Sequence, residues 1–185
     1  MPTVVVPFRR ESAKRRLSPA PEDLRATLAY AMLEDVLAAC SVVAGGVAVA
    51  SGGGGQGAAV EAELRRIDSG PVLVVNADLP AAQPRDLLTL LGALPEDGLA
   101  LVAAADGTTN ALALATPHLF APLYGPGSAE RFLARAERLG VPATVAAIPN
   151  LVDDVDTLDD LERLEERLGR HTAAVLDALR AGLAR

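Results

Sequence analysis

The sequence predicts an α/β fold of three layers, in which helices cover both faces of a mostly parallel β-sheet. Short runs of branched apolar residues alternate along the chain with longer segments of helical periodicity. Residues 71–75 are apolar without interruption, which is typical of a central parallel strand covered on both faces. A chain of 185 residues is expected to form a single domain over 1–185.

The expected elements follow one another from the N-terminus. The first strand is predicted at 3–6, closed by Pro7, and apolar residues recur at helical spacing over 24–37 behind a favourable first turn. Further strands are expected at 47–50, 71–75, 99–104, 111–115 and 143–148, and further helices at 58–67, 85–94, 128–139 and from 158 onward with a break at 169. In such sheets ligands bind beyond the carboxyl ends of the strands.

Composition and charge exclude several functional classes. The 24 acidic residues outnumber the 17 basic ones, and the net charge of -7 has the wrong sign for a general binder of nucleic acid or anionic membranes. The longest apolar run, 36–50, is shorter than the roughly 18 residues of a membrane span, and a single cysteine, Cys40, cannot form an intrachain disulfide. We therefore expect a cytoplasmic protein with neither nucleic acid nor membrane as partner.

A basic cluster follows the first predicted strand. It holds five of the 17 basic residues within eight positions, namely Arg9, Arg10, Lys14, Arg15 and Arg16. A solvated surface loop would explain such a charge run. Its position at the carboxyl end of a strand instead favours a phosphate site, since arginine offers forked donors and lysine a point charge.

Aspartates stand where ligands for a hard cation would be expected. Asp78 follows the most apolar strand and should emerge at the edge of the sheet. A second acidic segment contains Asp153, Asp154 and Asp156. If this segment is extended, the alternation of side chains would place Asp154 and Asp156 on one side. Two alternatives stay open, because an aspartate can turn the chain and acidic residues near Thr157 can belong to a helix cap.

Two further segments are candidates for binding an anion. Gly125, Gly127 and Ser128 immediately precede or begin a predicted helix, where N–H groups and the Ser128 hydroxyl could receive a phosphate or carboxylate. Ser128 could equally be the N-cap of that helix. Thr109 lies in a predicted turn and contributes only if this turn faces the same cleft.

Six short motifs occur in a fixed order along the chain. They are Val-Val-Val-Pro-Phe-Arg at 4–9, Ala-Lys-Arg-Arg-Leu at 13–17, Asp-Leu-Pro at 78–80, Gly-Thr-Thr-Asn-Ala-Leu at 107–112, Gly-Pro-Gly-Ser at 125–128 and Asp-Val-Asp-Thr at 154–157. Together they resemble the 2-phospho-L-lactate/phosphoenolpyruvate guanylyltransferases of coenzyme F(420) biosynthesis. Each motif is weak, but the ordered set is specific and spans nearly the whole chain.

The resemblance implies a Rossmann-like nucleotidyltransferase fold related to the GT-A glycosyltransferases. In the implied reaction, the phosphate of an acceptor attacks the α-phosphorus of GTP and releases pyrophosphate, with Mg²⁺ as cofactor. Such transfers depend on charge neutralisation and in-line positioning. The resemblance implies these roles: metal ligands at Asp78, Asp154 and Asp156; acceptor binding at Thr109, Gly125, Gly127 and Ser128; nucleotide binding at Arg9, Lys14 and Arg16; and catalysis by Lys14, Arg16 and Asp78.

The sequence also departs from the family and leaves alternatives open. Loop 51–57 is short where relatives have a further helix and strand, and Arg15 stands where a small residue is common. The expected partners are GTP and a phosphorylated three-carbon acid, with phosphoenolpyruvate favoured over 2-phospho-L-lactate and 3-phosphoglycerate. A homodimer is left open. The alternative functions are a non-catalytic nucleotide-binding relative and a GT-A-like transferase with another acceptor.

Overall fold

A computed structural model describes residues 1–9, 17 and 21–183 of the chain. In this part of the chain six strands form one sheet: β1 (Thr3–Pro7), β2 (Gly46–Ala50), β3 (Val72–Val75), β4 (Leu99–Ala103), β5 (Thr109–Leu114) and β6 (Ala143–Val145). Their order across the sheet is β2-β1-β3-β5-β4-β6. β5 runs antiparallel to its neighbours β3 and β4, whereas the other pairings are parallel. The predicted mostly parallel sheet is thus confirmed.

Helices connect the strands and cover both faces of the sheet. They are α1 (Glu22–Val43), α2 (Gln56–Leu64), α3 (Pro84–Gly92), α4 (Ser128–Leu139), α5 (Pro149–Val152), α6 (Leu158–Arg163) and α7 (Arg170–Leu183), with 3-10 turns at Pro117–Leu119 and Glu165–Arg167. β1 shows how the layers arise, since alternate side chains of a strand face opposite ways. Val4 and Val6 pack in the layer of α1, α3 and α5, whereas Val5 packs in the layer of α2 and α4.

Helix α1 is longer than the periodicity predicts. It continues to Val43 and takes in the first half of the apolar run, and its buried face includes Met32, Val36 and Cys40. By length and composition alone α1 could cross a membrane. Here it lies between the sheet and α7, and its contacts with both elements explain the apolar composition.

The third apolar cluster joins α1 to the C-terminal helices. Leu28 and Met32 of α1 pack with the buried residues Val155, Leu161 and Leu164. This cluster fixes the segment that leads into α6 against the body of the fold. That segment contains two of the predicted metal ligands.

Several predicted boundaries differ from the structure. β6 ends at Val145 rather than at 148, because Pro149 begins α5 and Ile148 is buried by its side chain and not by strand pairing. α2 begins at Gln56 within the predicted loop. β5 begins at Thr109, two residues before its predicted start, which places Thr109 and Asn110 in the sheet rather than in a turn.

Candidate active site

A cleft of about 770 Å³ opens where the parallel strands end. Phe8 and Arg9 follow β1, Ala50 ends β2 and Asp78 follows β3, and all of them line the cleft. Because β5 runs the opposite way, its amino end reaches the same edge of the sheet and brings Thr109 into the wall. The topology thus gathers segments that are far apart in sequence, at the edge where ligands are expected in α/β sheets.

Three carboxylates meet in this cleft and are called the acidic cluster below. Asp78, Asp154 and Asp156 each offer one carboxylate oxygen, and these atoms lie within 4.8 Å of one another. All three side chains are half-buried. Like charges this close repel one another, and carboxylate oxygens are the ligands that Mg²⁺ prefers. The arrangement is therefore suited to holding a divalent cation.

A main-chain hydrogen bond sets the spacing of the acidic cluster. The N–H group of Val155 donates to the carbonyl oxygen of Asp78 at 3.0 Å. The Val155 side chain is fully buried in the cluster formed with α1. Since neighbouring side chains of an extended segment point to opposite sides, burial of Val155 directs Asp154 and Asp156 towards the cleft.

The helix cap and the acidic cluster are formed by different residues of the same segment. Asp160 accepts hydrogen bonds from the N–H groups of Thr157 at 2.8 Å and Asp156 at 3.1 Å, and its own N–H donates to Thr157 Oγ1. Partial burial raises the pKa of Asp160, but hydrogen bonds from Thr157 and Arg163 outweigh this effect and lower the pKa to about 2. The capping box therefore stabilises the backbone that carries Asp156, and the two sequence interpretations are compatible.

Asp153, although adjacent in sequence, lies outside the acidic cluster. Its carboxylate forms ion pairs with Arg163 at 2.8 Å and with Arg167 at 2.9 Å. Partial burial raises the pKa of Asp153, but hydrogen bonds from Arg167 and Arg163 lower it overall. Asp153 thus anchors the segment to the turns that follow it.

The start of α4 differs from both sequence interpretations. Gly127, in the left-handed conformation with φ 68°, is the N-cap, and Ser128 is the first helical residue. The N–H groups of Ser128 and Ala129 already donate to the carbonyl oxygens of Gly125 at 3.0 Å and Gly107 at 3.2 Å. The alternative in which Ser128 is the N-cap is therefore wrong, and two of the N–H groups considered for binding an anion are already bonded to the protein.

Ser128 instead forms a hydrogen bond with the side chain of Thr109. The Ser128 hydroxyl is fully buried and donates to Thr109 Oγ1 at 3.1 Å. Thr109 and Gly125 line the cleft, whereas Gly127 and Ser128 are not among its lining residues. The four predicted acceptor-binding residues thus lie together, but only two of them line the cleft directly.

A hydrogen-bonded row of amides was not predicted from the sequence. Gln56 Nε2 donates to Asn76 Oδ1 at 2.7 Å, and Asn76 Nδ2 donates to the Thr109 carbonyl oxygen at 3.2 Å. Asn110 Nδ2 donates to the Val152 carbonyl oxygen at 3.0 Å and lies 3.5 Å from Asp154 Oδ1. Asn76 directly follows β3 and Asn110 lies at the start of β5, positions at strand ends that could have indicated them. Gln56 carries no such signal.

Gly57, in the first turn of α2, makes a close contact that requires glycine. A Cβ on Gly57 would lie 2.8 Å from Pro122 Cβ and 2.9 Å from Pro122 Cα. This approach brings the first turn of α2 against the segment that leads to Gly125. Arg131 holds the same segment by donating to the Leu123 carbonyl oxygen at 2.7 Å, and Tyr124 packs edge-on against Phe132.

Only part of the predicted nucleotide-binding set falls on described residues. Arg9 is exposed and lines the cleft directly after β1. Lys14 and Arg16, with Arg10 and Arg15, lie outside the described residues.

Known proteins include relatives whose sequences align with nearly the whole chain. The chain is 35% identical to the phosphoenolpyruvate guanylyltransferase of Streptomyces scabiei, over 93% of this chain and 94% of that protein. The matched region spans 207 residues, more than the 185 of this chain, so the relative has residues without a counterpart here. No family model matches the chain.

Solved structures share the fold at low sequence identity. A putative nucleotide-diphospho-sugar transferase from Desulfovibrio desulfuricans superposes with a TM-score of 0.73 at 16% identity, covering 97% of this chain and 95% of that one. For the 2-C-methyl-D-erythritol 4-phosphate cytidylyltransferase of Thermus thermophilus the TM-score is 0.58 at 17% identity, with coverage of 88% and 96%. The predicted nucleotidyltransferase fold is thereby confirmed.

Proposed function

The chain belongs to the phosphoenolpyruvate guanylyltransferases, which are nucleotidyltransferases, and from this premise we propose how it acts. It transfers GMP from GTP to the phosphate of phosphoenolpyruvate and releases pyrophosphate. We place this reaction in the cytoplasm and in coenzyme F(420) biosynthesis, as the sequence motifs imply, and assign it to residues 1–185 as a single domain. A homodimer is left open.

The acidic cluster is the observation that carries the proposal. Three carboxylates from two segments, tied by the Val155 to Asp78 hydrogen bond, provide hard oxygen ligands in one cleft. Asp78, Asp154 and Asp156 would hold Mg²⁺ there. Bound Mg²⁺ supplies charge neutralisation for the phosphates and a template for in-line attack.

The remaining residues of the cleft would bind the two substrates. Arg9 lies at the end of β1, where its guanidinium can pair with a phosphate. Lys14 and Arg16 are assigned to the triphosphate by the sequence motif. Thr109 and Gly125 line the wall near the acidic cluster and would contact the acceptor, while Gly127 and Ser128 position them.

The bond changes balance without an acid–base residue. A phosphate oxygen of the acceptor attacks the α-phosphorus of GTP, and the bond from that phosphorus to the bridging oxygen breaks. The electron pair leaves with pyrophosphate, so the protein's task is to hold the reacting groups in line and compensate their charge. Arg9, Thr109 and the acidic cluster face one cleft, which suits this task.

The test is pyrophosphate release by the wild-type protein with GTP and one acceptor at a time. Phosphoenolpyruvate, 2-phospho-L-lactate and 3-phosphoglycerate are compared, each with Mg²⁺ and with excess chelator. The expected result is release that requires Mg²⁺ and is fastest with phosphoenolpyruvate. Faster release with another acid would reassign the acceptor, and no release with any of the three would refute guanylyl transfer and favour a non-catalytic relative.

A further inference from the structure

Gln56 and Asn76, called the amide pair below, meet at the wall of the cleft. Both residues line the cleft, and Gln56 is the first residue of α2. Helix α2 covers the face of the sheet opposite to α1. Val155, between two members of the acidic cluster, packs against α1. Gln56 therefore lies on the α2 side of the cleft, whereas Asp154 and Asp156 lie on the α1 side.

Hydrogen bonding fixes the orientation of both amides. The Thr109 carbonyl oxygen can only accept, so the group of Asn76 that lies 3.2 Å from it must be the NH₂ group. The Asn76 oxygen consequently faces Gln56 and accepts from Gln56 Nε2 at 2.7 Å. This contact turns Gln56 Oε1 away from Asn76, and no residue of the described chain donates a hydrogen bond to that oxygen.

The surroundings of Gln56 suit a flat ring rather than a phosphate. Ala50 and Ala59 line the cleft on the same side, and both are small, apolar and buried. An uncharged acceptor oxygen repels phosphate oxygens and attracts N–H donors. Among the parts of a nucleoside triphosphate, the base carries the N–H donors.

We propose that Gln56 is a specificity-determining residue for the nucleobase. Its Oε1 accepts from the N–H donors of guanine, the N1–H and the 2-amino group, and Asn76 holds it in that orientation. Adenine presents an unprotonated N1 on the same edge, where two acceptors would face each other. The proposal rests on the proposed function for the identity of the nucleotide, but it concerns a residue to which the sequence motifs assign no role.

The experiment measures nucleotide binding by titration calorimetry with Mg²⁺ and without acceptor, so that it does not depend on turnover. GTP, ITP and ATP are titrated into the wild type and into Gln56→Met, which keeps the side-chain length but removes the acceptor. ITP lacks the 2-amino group. Gln83→Met is the matched control, because the chain's other glutamine does not line the cleft.

The expected order of affinity in the wild type is GTP, then ITP, then ATP. Gln56→Met should weaken GTP binding by roughly tenfold, the effect of one good hydrogen bond, weaken ITP binding less and leave ATP binding unchanged. Gln83→Met should keep the preference for GTP.

An equal loss for all three nucleotides in Gln56→Met, or equal affinities in the wild type, would overturn the proposal. The wild-type comparison keeps the test decisive if the variant does not fold. Failure of the proposed function looks different: the wild type would bind GTP in preference to ATP and yet release no pyrophosphate with any acceptor.

Discussion

The acidic cluster and the amide pair face the same cleft, but one is held by the main chain and the other by side chains. The acidic cluster depends on the hydrogen bond from Val155 to Asp78, on a buried Val155 and on a helix cap next to Asp156. The amide pair depends on two side-chain hydrogen bonds, between positions 20 and 33 residues apart. The first arrangement follows from local alternation along the chain, and the second follows from long-range packing. The acidic cluster is therefore easier to predict from a sequence than the amide pair.

The largest effect is expected from removing one carboxylate of the acidic cluster. Asp156→Asn should lower kcat/KM for pyrophosphate release by about 100-fold or more, because roughly 3 kcal/mol of charge stabilisation by the cation is lost. The measurement is initial rate against substrate concentration at saturating Mg²⁺.

Asp153→Asn is the matched control for this experiment. It changes an aspartate three positions away that pairs with Arg163 and Arg167 and neither belongs to the acidic cluster nor lines the cleft. It should cost at most about 1 kcal/mol of stability and keep the activity. Equal losses of activity in both variants would mean that the acidic cluster has no special role.

The position of the amide pair can be tested through the packing of α2, the helix that carries Gln56. Gly57→Ala places a Cβ 2.8 Å from Pro122 Cβ and should destabilise the protein by roughly 1–3 kcal/mol in urea unfolding, as overpacking does. Gly92→Ala is the control, because a Cβ at this helical glycine meets nothing within 4 Å. It should leave stability unchanged or raise it by up to about 1 kcal/mol, and a loss as large as that of Gly57→Ala would remove the packing argument.

The helix cap beside Asp156 predicts a pH-dependent stability. The pKa of Asp160 is lowered to about 2 in the folded protein, so the carboxylate stabilises the fold above its unfolded pKa of about 3.9. This stabilisation is lost as the pH falls from about 4 to about 2. Urea unfolding should therefore show wild type more stable than Asp160→Asn by roughly 1–2 kcal/mol at pH 6.

Near pH 2 the difference between the two proteins should shrink. A difference that stays constant between pH 6 and pH 2 would mean that the Asp160 carboxylate does not act through its charge. Asp159, exposed on the same helix, provides the control: Asp159→Asn should change stability by less than about 0.5 kcal/mol.

The smallest effect concerns the contact between the two buried hydroxyls. Ser128→Ala removes the donor to Thr109 Oγ1 and should raise the KM for phosphoenolpyruvate by about three- to tenfold, since Thr109 loses its orientation. The KM for GTP should stay nearly constant. Because Gly127 is the N-cap, the loss of stability typical of an N-cap variant is not expected, and a change in the KM for GTP alone would contradict the assigned position.

The sequence predicted those elements whose ends are marked by local chemistry. Helix α4 has the predicted bounds 128–139, because Gly127 and Gly140 at its two ends both adopt the left-handed conformation. The predicted end of β6 at 148 was wrong, since Ile148 is buried without pairing in the sheet. Burial alone therefore did not distinguish a strand from the segment that follows it.

In the candidate site too, the residues marked by local sequence could be predicted and the others could not. Their positions after a strand end or along an extended segment made Asp78, Asp154 and Asp156 candidates, and the family resemblance implied all three as one metal site. Neither Gln56 as an oriented acceptor nor the buried position of Ser128 could be predicted, because both depend on residues brought close only by the fold.

The most direct test of guanylyl transfer is phosphorus NMR of the reaction itself. Wild-type protein is mixed with GTP, phosphoenolpyruvate and Mg²⁺, and the spectrum is followed with time. The account predicts that the phosphomonoester signal of phosphoenolpyruvate disappears while two coupled diphosphate signals and pyrophosphate appear in equal amounts. Conversion of GTP to GMP and pyrophosphate with the phosphoenolpyruvate signal unchanged would contradict it.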